Sequence, residues 1–408
     1  MITLPVCGHS DHTDAPSMKR LSARLASSIV VLLTAALAGC GGSTGPSYTV
    51  LTAGDSLSDT GTFGYRFTVQ GTSAAPNLIW TERVAAAISL VSPCPRYQAS
   101  ADGTVISANP SAAQCGGYAV GGAQINVPDL SSPGGDATPW SVLQQIRTLA
   151  RERKPLLDRD IILIGGGGND AATVFGLWLR WQDAVARGDA TAPNLLAAYK
   201  ALMTELLGND PRIAAAGTPQ ELAVIGTDYM AQLARVLANE IKLELLQNSA
   251  KRVVVANIPD ISQTPRLVAV LAPLKQLIDQ TAYLAAQAFA QGLTQNYNSR
   301  LVTEFAGESR VAIFNLNQNL NAWVTQPPAS LTNVTTPACP STGNSGGIPT
   351  YSVKDCTAAG LSAQAVGAQS PNWWESYLFS DDFHPSPRGH QLAADALIRD
   401  VLRDRGWN

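Results

Sequence analysis

Four short apolar runs set the strongest limit on how this chain can fold. Tyr48 to Thr52, Asp160-Ile161-Ile162-Leu163-Ile164, Arg252-Val253-Val254-Val255-Ala256 and Val311-Ala312-Ile313-Phe314-Asn315 are aliphatic or β-branched with no alternation of polar residues. A strand with one wet face would alternate, so continuous runs of this length suit strands buried on both faces of a parallel sheet. Helical patterns lie between and after them, at Trp140 to Arg153, Asn194 to Leu207, Pro219 to Ser249, Leu267 to Phe305 and Pro387 to Arg403. The alternation predicts an α/β fold, a doubly wound sheet with helices on both faces, whose ligand sites gather in loops at the carboxyl ends of the strands. The region from Gly176 to Ser249 reads as a helical insertion broken at residues 188–193 and 208–211. Thr325 to Asn372, rich in Pro, Gly, Ser, Thr and Asn, reads as one long loop.

The beginning of the chain follows another pattern. Met18-Lys19-Arg20 and Arg24 precede the apolar run Ile29 to Ala38, too short for a spanning helix and suited to a secretory signal. Leu37-Ala38-Gly39-Cys40 then resembles a bacterial lipobox with its cysteine placed for lipidation. Met18 makes a more natural start than Met1. The expected organisation is a lipoprotein signal peptide over residues 1–39, a lipidated Cys40 with a flexible tether to residue 47, and a single domain over residues 48–408. Gly41, where an aspartate would favour the inner membrane, points to an outer-membrane-anchored lipoprotein; without acylation the protein would be secreted.

Export changes the meaning of the remaining cysteines and histidines. Of six cysteines, Cys94, Cys115, Cys339 and Cys356 remain after Cys7 and Cys40, and an oxidising compartment suggests two disulfides. Three connectivities are open; Cys94 with Cys115 and Cys339 with Cys356 is the simplest. No CxxC spacing suggests zinc. His9 and His12 go with the leader, so histidine-dependent chemistry must use His384 or His390. At 45% hydrophobic and 14% charged residues the chain is no disordered polymer, and a net charge of −3 without a basic run removes nucleic acid as a partner.

Four stretches could carry chemistry. In Ala53-Gly54-Asp55-Ser56-Leu57-Ser58-Asp59-Thr60-Gly61, behind the first apolar run, Ser56 could be a nucleophile, part of an anion cradle or a turn residue. Gly117-Tyr118-Ala119-Val120-Gly121-Gly122-Ala123 and Gly165-Gly166-Gly167-Gly168-Asn169-Asp170 are glycine-rich, and Phe379-Ser380-Asp381-Asp382-Phe383-His384-Pro385 lies near the end. A phosphate loop needs a lysine that the glycine run lacks, and a strict dinucleotide fingerprint from Gly165 fails at Asp170; only a relaxed form from Gly166 fits. Acyl transfer, by contrast, needs a nucleophile, a base, an orienting group and oxyanion donors. Ser56, His384, Asp381 and the amides of Ser56, Gly122 and Asn169 could supply them.

These four blocks, in this order, resemble the GDSL or SGNH hydrolases over residues 48 to 400. The resemblance implies a three-layer α/β/α, flavodoxin-like fold with a central parallel sheet. It implies Ser56 as nucleophile, Asp381 and His384 as the other triad members, and Ser56, Gly122 and Asn169 as oxyanion-hole residues, with neither metal nor organic cofactor. Gly122 is chosen over Gly121 by its place in the motif, and Asp381 over Asp382 by the Asp-x-x-His spacing. The expected activity is carboxylic ester hydrolysis on a small-molecule or lipid ester by a monomeric enzyme. A phospholipase, lysophospholipase or acyltransferase would share the site, and a non-enzymatic surface-binding lipoprotein is the reading from another class.

Several residues keep two readings. His390 is expected to face solvent or cap the last helix, the alternative being that it replaces His384. Asp59 and Asp170 are either acceptors behind the site or, respectively, a turn residue and a helix cap. Trp178 and Trp181 form a core stripe or a lid. At least one of Trp373, Trp374, Tyr377 and Phe379 is expected to line the acyl pocket.

Overall fold

In a computed structural model, which describes residues 48–89, 91–127, 135–277, 280–345, 348–367 and 369–407, the four apolar runs are the four strands of one parallel sheet. They are β1 (Thr49–Ala53), β2 (Asp160–Ile164), β3 (Val253–Ala256) and β4 (Val311–Phe314), paired in that order. Successive residues go to opposite sides. Leu51, Ala53, Ile162, Ile164, Val253 and Val255 enter one core, while Val50, Ile161, Leu163, Val254, Ala256, Ala312 and Phe314 enter another. Both faces are therefore dry, which is why the runs do not alternate.

Helices cover both faces. α1 (Trp80–Ile88) and the C-terminal helix, which begins at Pro387, pack on the second core. On the first lie α2 (Val142–Glu152), α3 (Gly168–Arg187), α4 (Ala192–Leu207), α5 (Pro219–Glu240) and α6 (Gln280–Glu304). Their starts are readable in the sequence: Ser141 caps α2, and Thr218 with Glu221 forms a capping box before α5 with Pro219 in its first turn. Trp178 and Trp181 are buried in the first core, where Trp178 packs against Phe289 with ring centroids 4.8 Å apart, so the core-stripe reading holds and the lid does not.

A fifth strip completes the sheet beyond β1. Thr52 N donates to Gly116 O at 2.8 Å, Tyr118 N to Thr52 O at 2.8 Å and Val120 N to Gly54 O at 3.1 Å, laying Gly116–Val120 alongside β1. In chain order the arrangement reads 2-1-3-4-5, the flavodoxin-like order, and its switch point falls at the carboxyl end of β1. Three layers of α, β and α are thus present as expected.

Some elements differ from expectation. The helix expected from Pro219 to Ser249 is regular to Glu240 and continues in wider, π-type turns to Leu246. The one expected from Leu267 to Phe305 divides into Pro265–Leu277 and α6. The expected long loop contains β5 (Asn333–Pro337), which pairs with β6 (Tyr377–Phe379) across more than thirty-five residues, and a small hairpin of Gly343–Ser345 with Ile348–Thr350. These strands are too short for periodicity to mark them.

Cys94 is bonded to Cys115 and Cys339 to Cys356, the local pairing. The second bridge ties the segment after β5 to Cys356, and Cys339 N donates to Ser380 O at 2.7 Å, joining the same segment to the loop that follows β6. Pro46–Asn408 forms one compact unit. The expected signal peptide, Cys40 and the tether lie outside the described residues. Among those described, no helix is long and apolar enough to cross a membrane.

Candidate active site

β1 and β2 run in register up to Ala53 and Ile164, and the chains then part at Gly54 and Gly165. A Cβ on Gly54 would stand 2.9 Å from Gly165 O, and Gly54 has φ +152°, so glycine is required where the two loops leave the sheet. Two residues on, Ser56 sits at the carboxyl end of β1. Asp55 turns the chain there, its Oδ1 accepting from Leu57 N at 3.0 Å. Ser56 is buried apart from a small opening.

The C-terminal block reaches Ser56 from the other end of the chain. His384 Nε2 is 2.8 Å from Ser56 Oγ, and His384 Nδ1 is 2.7 Å from Asp381 Oδ2. A carboxylate can only accept, so Nδ1 carries the proton and Nε2 accepts from the serine hydroxyl. Asp381 Oδ1 also accepts from Phe383 N at 2.8 Å and His384 N at 2.6 Å, which closes the loop around the carboxylate. Ser380 holds that loop down, accepting from Val69 N at 3.0 Å and donating to Pro385 O at 3.1 Å. The helix after it, α7 (Pro387–Leu397), starts at the cap Ser386, whose Oγ accepts from Arg388 N and Gly389 N.

Electrostatics favour a charged carboxylate beside a basic imidazole. Burial alone would push Asp381 up, but the imidazole beside it and three hydrogen bonds hold it below the usual carboxylate value. Burial likewise works against a charged His384, and the Asp381 carboxylate, with Asp55 and Asp382 behind it, outweighs burial and leaves its pKa raised.

Two further loops come to the same place. Gly121 N donates to Asp59 Oδ2 at 2.8 Å, while Gly122, at φ +81°, has a backbone N–H without an acceptor among the described residues, as does Ser56. The Phe67 ring rests where a Cβ on Gly121 would be, 2.2 Å from it, and stacks toward His384 with centroids 5.1 Å apart. Asn169, in the first turn of α3, donates from Nδ2 to Ala123 O at 2.8 Å, leaving its second amide hydrogen available. Three N–H groups can therefore face an oxygen beside Ser56 Oγ, with the N-terminus of α3 behind them. Ser56, Gly122, Asn169 and His384 share one open cleft with Phe67, Phe383 and Arg266.

Asp59 and Asp170 are more than local features. Asp59 Oδ1 accepts from Gly61 N and Thr62 N as a turn would require, and its second oxygen reaches the Gly121 loop. Asp170 does not cap α3. Its two oxygens accept from Ile125 N at 3.0 Å and Asn126 N at 3.1 Å, and full burial pushes its pKa up to about 7.

His390 differs from expectation. It is buried at 1% exposure on the side of α7 that faces α1, where Nδ1 accepts from Trp80 N at 3.3 Å and burial lowers its pKa to about 3. The imidazole that meets Ser56 is that of His384. Trp374 packs in a cluster with Val69 and the second disulfide, with Trp373 and Tyr377 against it, whereas Phe379 lines a cavity next to Ser56. Phe67 and Ser380 escaped the sequence reading. The alternation Phe63-x-Tyr65-x-Phe67 inside a loop was a signal for the first; nothing local marks the second.

Among the described residues no cluster of three or more His, Cys, Asp or Glu side chains could hold a metal. Compared with models of known families, residues 50–397 match the one described as GDSL-like Lipase/Acylhydrolase. No curated protein matches the chain.

Proposed function

The chain belongs to the GDSL-like lipase/acylhydrolase family, and on that premise we propose that it is a serine hydrolase cleaving carboxylic esters through an acyl-enzyme on Ser56. One observation carries this reading: the hydrogen-bonded line from Ser56 Oγ to His384 Nε2 at 2.8 Å and from His384 Nδ1 to Asp381 Oδ2 at 2.7 Å. As Ser56 Oγ attacks the ester carbonyl, its proton passes to His384, and Asp381 stabilises the imidazolium that forms. The carbonyl oxygen gains charge in front of the N–H groups of Ser56, Gly122 and Asn169. Collapse of the tetrahedral intermediate expels the alcohol, which takes the proton from His384 Nε2. Water then repeats the sequence on the acyl-enzyme and releases the acid.

The test is hydrolysis of p-nitrophenyl butyrate by protein lacking residues 1–39. Ser56→Ala abolishes turnover, and Asn169→Ala lowers kcat by about 10²–10³; undiminished turnover by the Ser56→Ala protein would sink the mechanism. In its cellular setting the enzyme is exported and held at the outer membrane by acylation of Cys40, a reading supported by the run Leu37-Ala38-Gly39-Cys40. Metabolic labelling with palmitate should mark the protein and fail with Cys40→Ser, and equal labelling of both would remove the anchor.

A further inference from the structure

Ser56 lies between two voids. One is the open cleft, where His384, Gly122, Asn169 and Arg266 are found. The other is a more enclosed cavity of about 80 Å³, walled by Trp80, Leu320, Trp323, Phe379 and Ala393; Ser56 and Phe383 line both. The enclosed wall is contributed by α1, α7, the helix Leu316–Thr325 and the end of β6. Most of its surface is apolar, with Asp55, Ser58, Asn257 and Thr264 at its polar edge, and its one imidazole, His390, is kept neutral by burial.

We propose that this cavity seats the acyl chain of the substrate while the open cleft holds the alcohol, so that esters of medium-chain fatty acids are preferred. The proposal rests on Ser56 being the nucleophile. A carbonyl carbon bonded to Ser56 Oγ carries an oxyanion, a leaving oxygen and the acyl chain. The oxyanion is directed to Gly122 and Asn169. The leaving oxygen must lie by His384 Nε2 to be protonated, and His384 lines the open cleft and not the enclosed cavity. That leaves the acyl chain to pass Phe383 into the apolar void, whose surface suits a hydrocarbon and no polar alcohol.

Size sets the chain length. A buried water needs roughly 10–15 Å³ on this scale, so the cavity has room for about five to eight methylene-sized groups. Each methylene moved from water into an apolar seat is worth roughly fourfold in an equilibrium or rate ratio. Specificity should climb from acetyl to about octanoyl esters and then stop rising.

The experiment is a p-nitrophenyl ester series from acetyl to palmitoyl with wild type, Ala393→Leu and Leu320→Ala. Filling the cavity with Ala393→Leu should lower the octanoyl-to-acetyl ratio of kcat/KM at least tenfold, and Leu320→Ala should move the optimum to longer chains. General destabilisation lowers all esters together and leaves the ratio where it was. Ratios unmoved by both substitutions, with Phe67→Ala in the cleft shifting them instead, would overturn the assignment. Octanoic acid provides a readout independent of turnover: it should raise the melting temperature of Ser56→Ala protein and lose that effect when Ala393→Leu is added. Stabilisation by octanoic acid without ester turnover in wild type would refute Ser56 as nucleophile and with it the acyl seat, leaving the cavity a binding site for a fatty acid. Turnover with unmoved ratios would refute the seat and leave Ser56 in place, and neither stabilisation nor turnover would refute both.

Discussion

His384 is pulled in two directions, and on the proposed mechanism the balance sets the pH at which the protein can work. Burial disfavours the imidazolium, while the Asp381 carboxylate at 2.7 Å favours it more strongly, so the pKa stands above the ordinary 6.5. A general base must be neutral to take the Ser56 proton. Activity should therefore rise with pH through an acid limb of kcat/KM lying above pH 6.5. Asp381→Asn removes the charge and leaves burial, so the limb should move to lower pH while kcat falls by about 10⁴. A pH–rate profile measures both, and a limb that stays in place would mean that the carboxylate does not set the base. The meeting of Ser56, His384 and Asp381 was legible from sequence because each stands in a short motif of recognisable spacing. Ser380 was not, because Val69 and Thr68, its partners, lie more than three hundred residues away. His390 was misplaced because helical phase near a helix start does not say which side meets a neighbour, and α1 covers that side.

At the scale of elements, the site is an agreement between loops that hold one another by hydrogen bonds from side chain to backbone. Asp59 links the turn after Ser56 to the Gly121–Gly122 loop, and Asp170 links the start of α3 to Ile125 and Asn126 on the same segment. Asn169 adds a third tie through Ala123 O. Substituting Asp59→Asn replaces one accepting oxygen by a donor and leaves a buried backbone N–H unpaired, a loss of about 1–3 kcal/mol. If that loss displaces the Gly122 donor, kcat falls about ten- to a hundredfold with KM nearly unchanged. Steady-state kinetics on the folded fraction check it; an unchanged kcat with a lowered melting temperature would give Asp59 a purely structural part. The strands of the central sheet were legible because burial on both faces leaves an unbroken apolar run. β5 and β6 were not, because their pairing joins distant segments of three to five residues with no hydrophobic period to announce it.

The whole molecule turns four separated blocks into one site by a rule of parallel sheets. β1 and β2 point the same way, so the loops after Ala53 and Ile164 emerge side by side, and the Gly116–Val120 strip brings the Gly122 loop to the same edge. The C-terminal block arrives there on the loop between β6 and α7, held by Ser380 and by the segment that the Cys339–Cys356 bridge closes. The pairing of the cysteines was readable as the simplest of three because both loops are short, 21 and 17 residues in separation. The central claim is that this convergence makes Ser56 a nucleophile, and a fluorophosphonate, which transfers its phosphonyl group to an activated serine with loss of fluoride, tests it most directly. Mass spectrometry of the labelled protein should find one adduct, on the peptide containing Ser56, and none with Ser56→Ala or His384→Ala. An adduct on another serine, or labelling that persists in Ser56→Ala, would contradict the account.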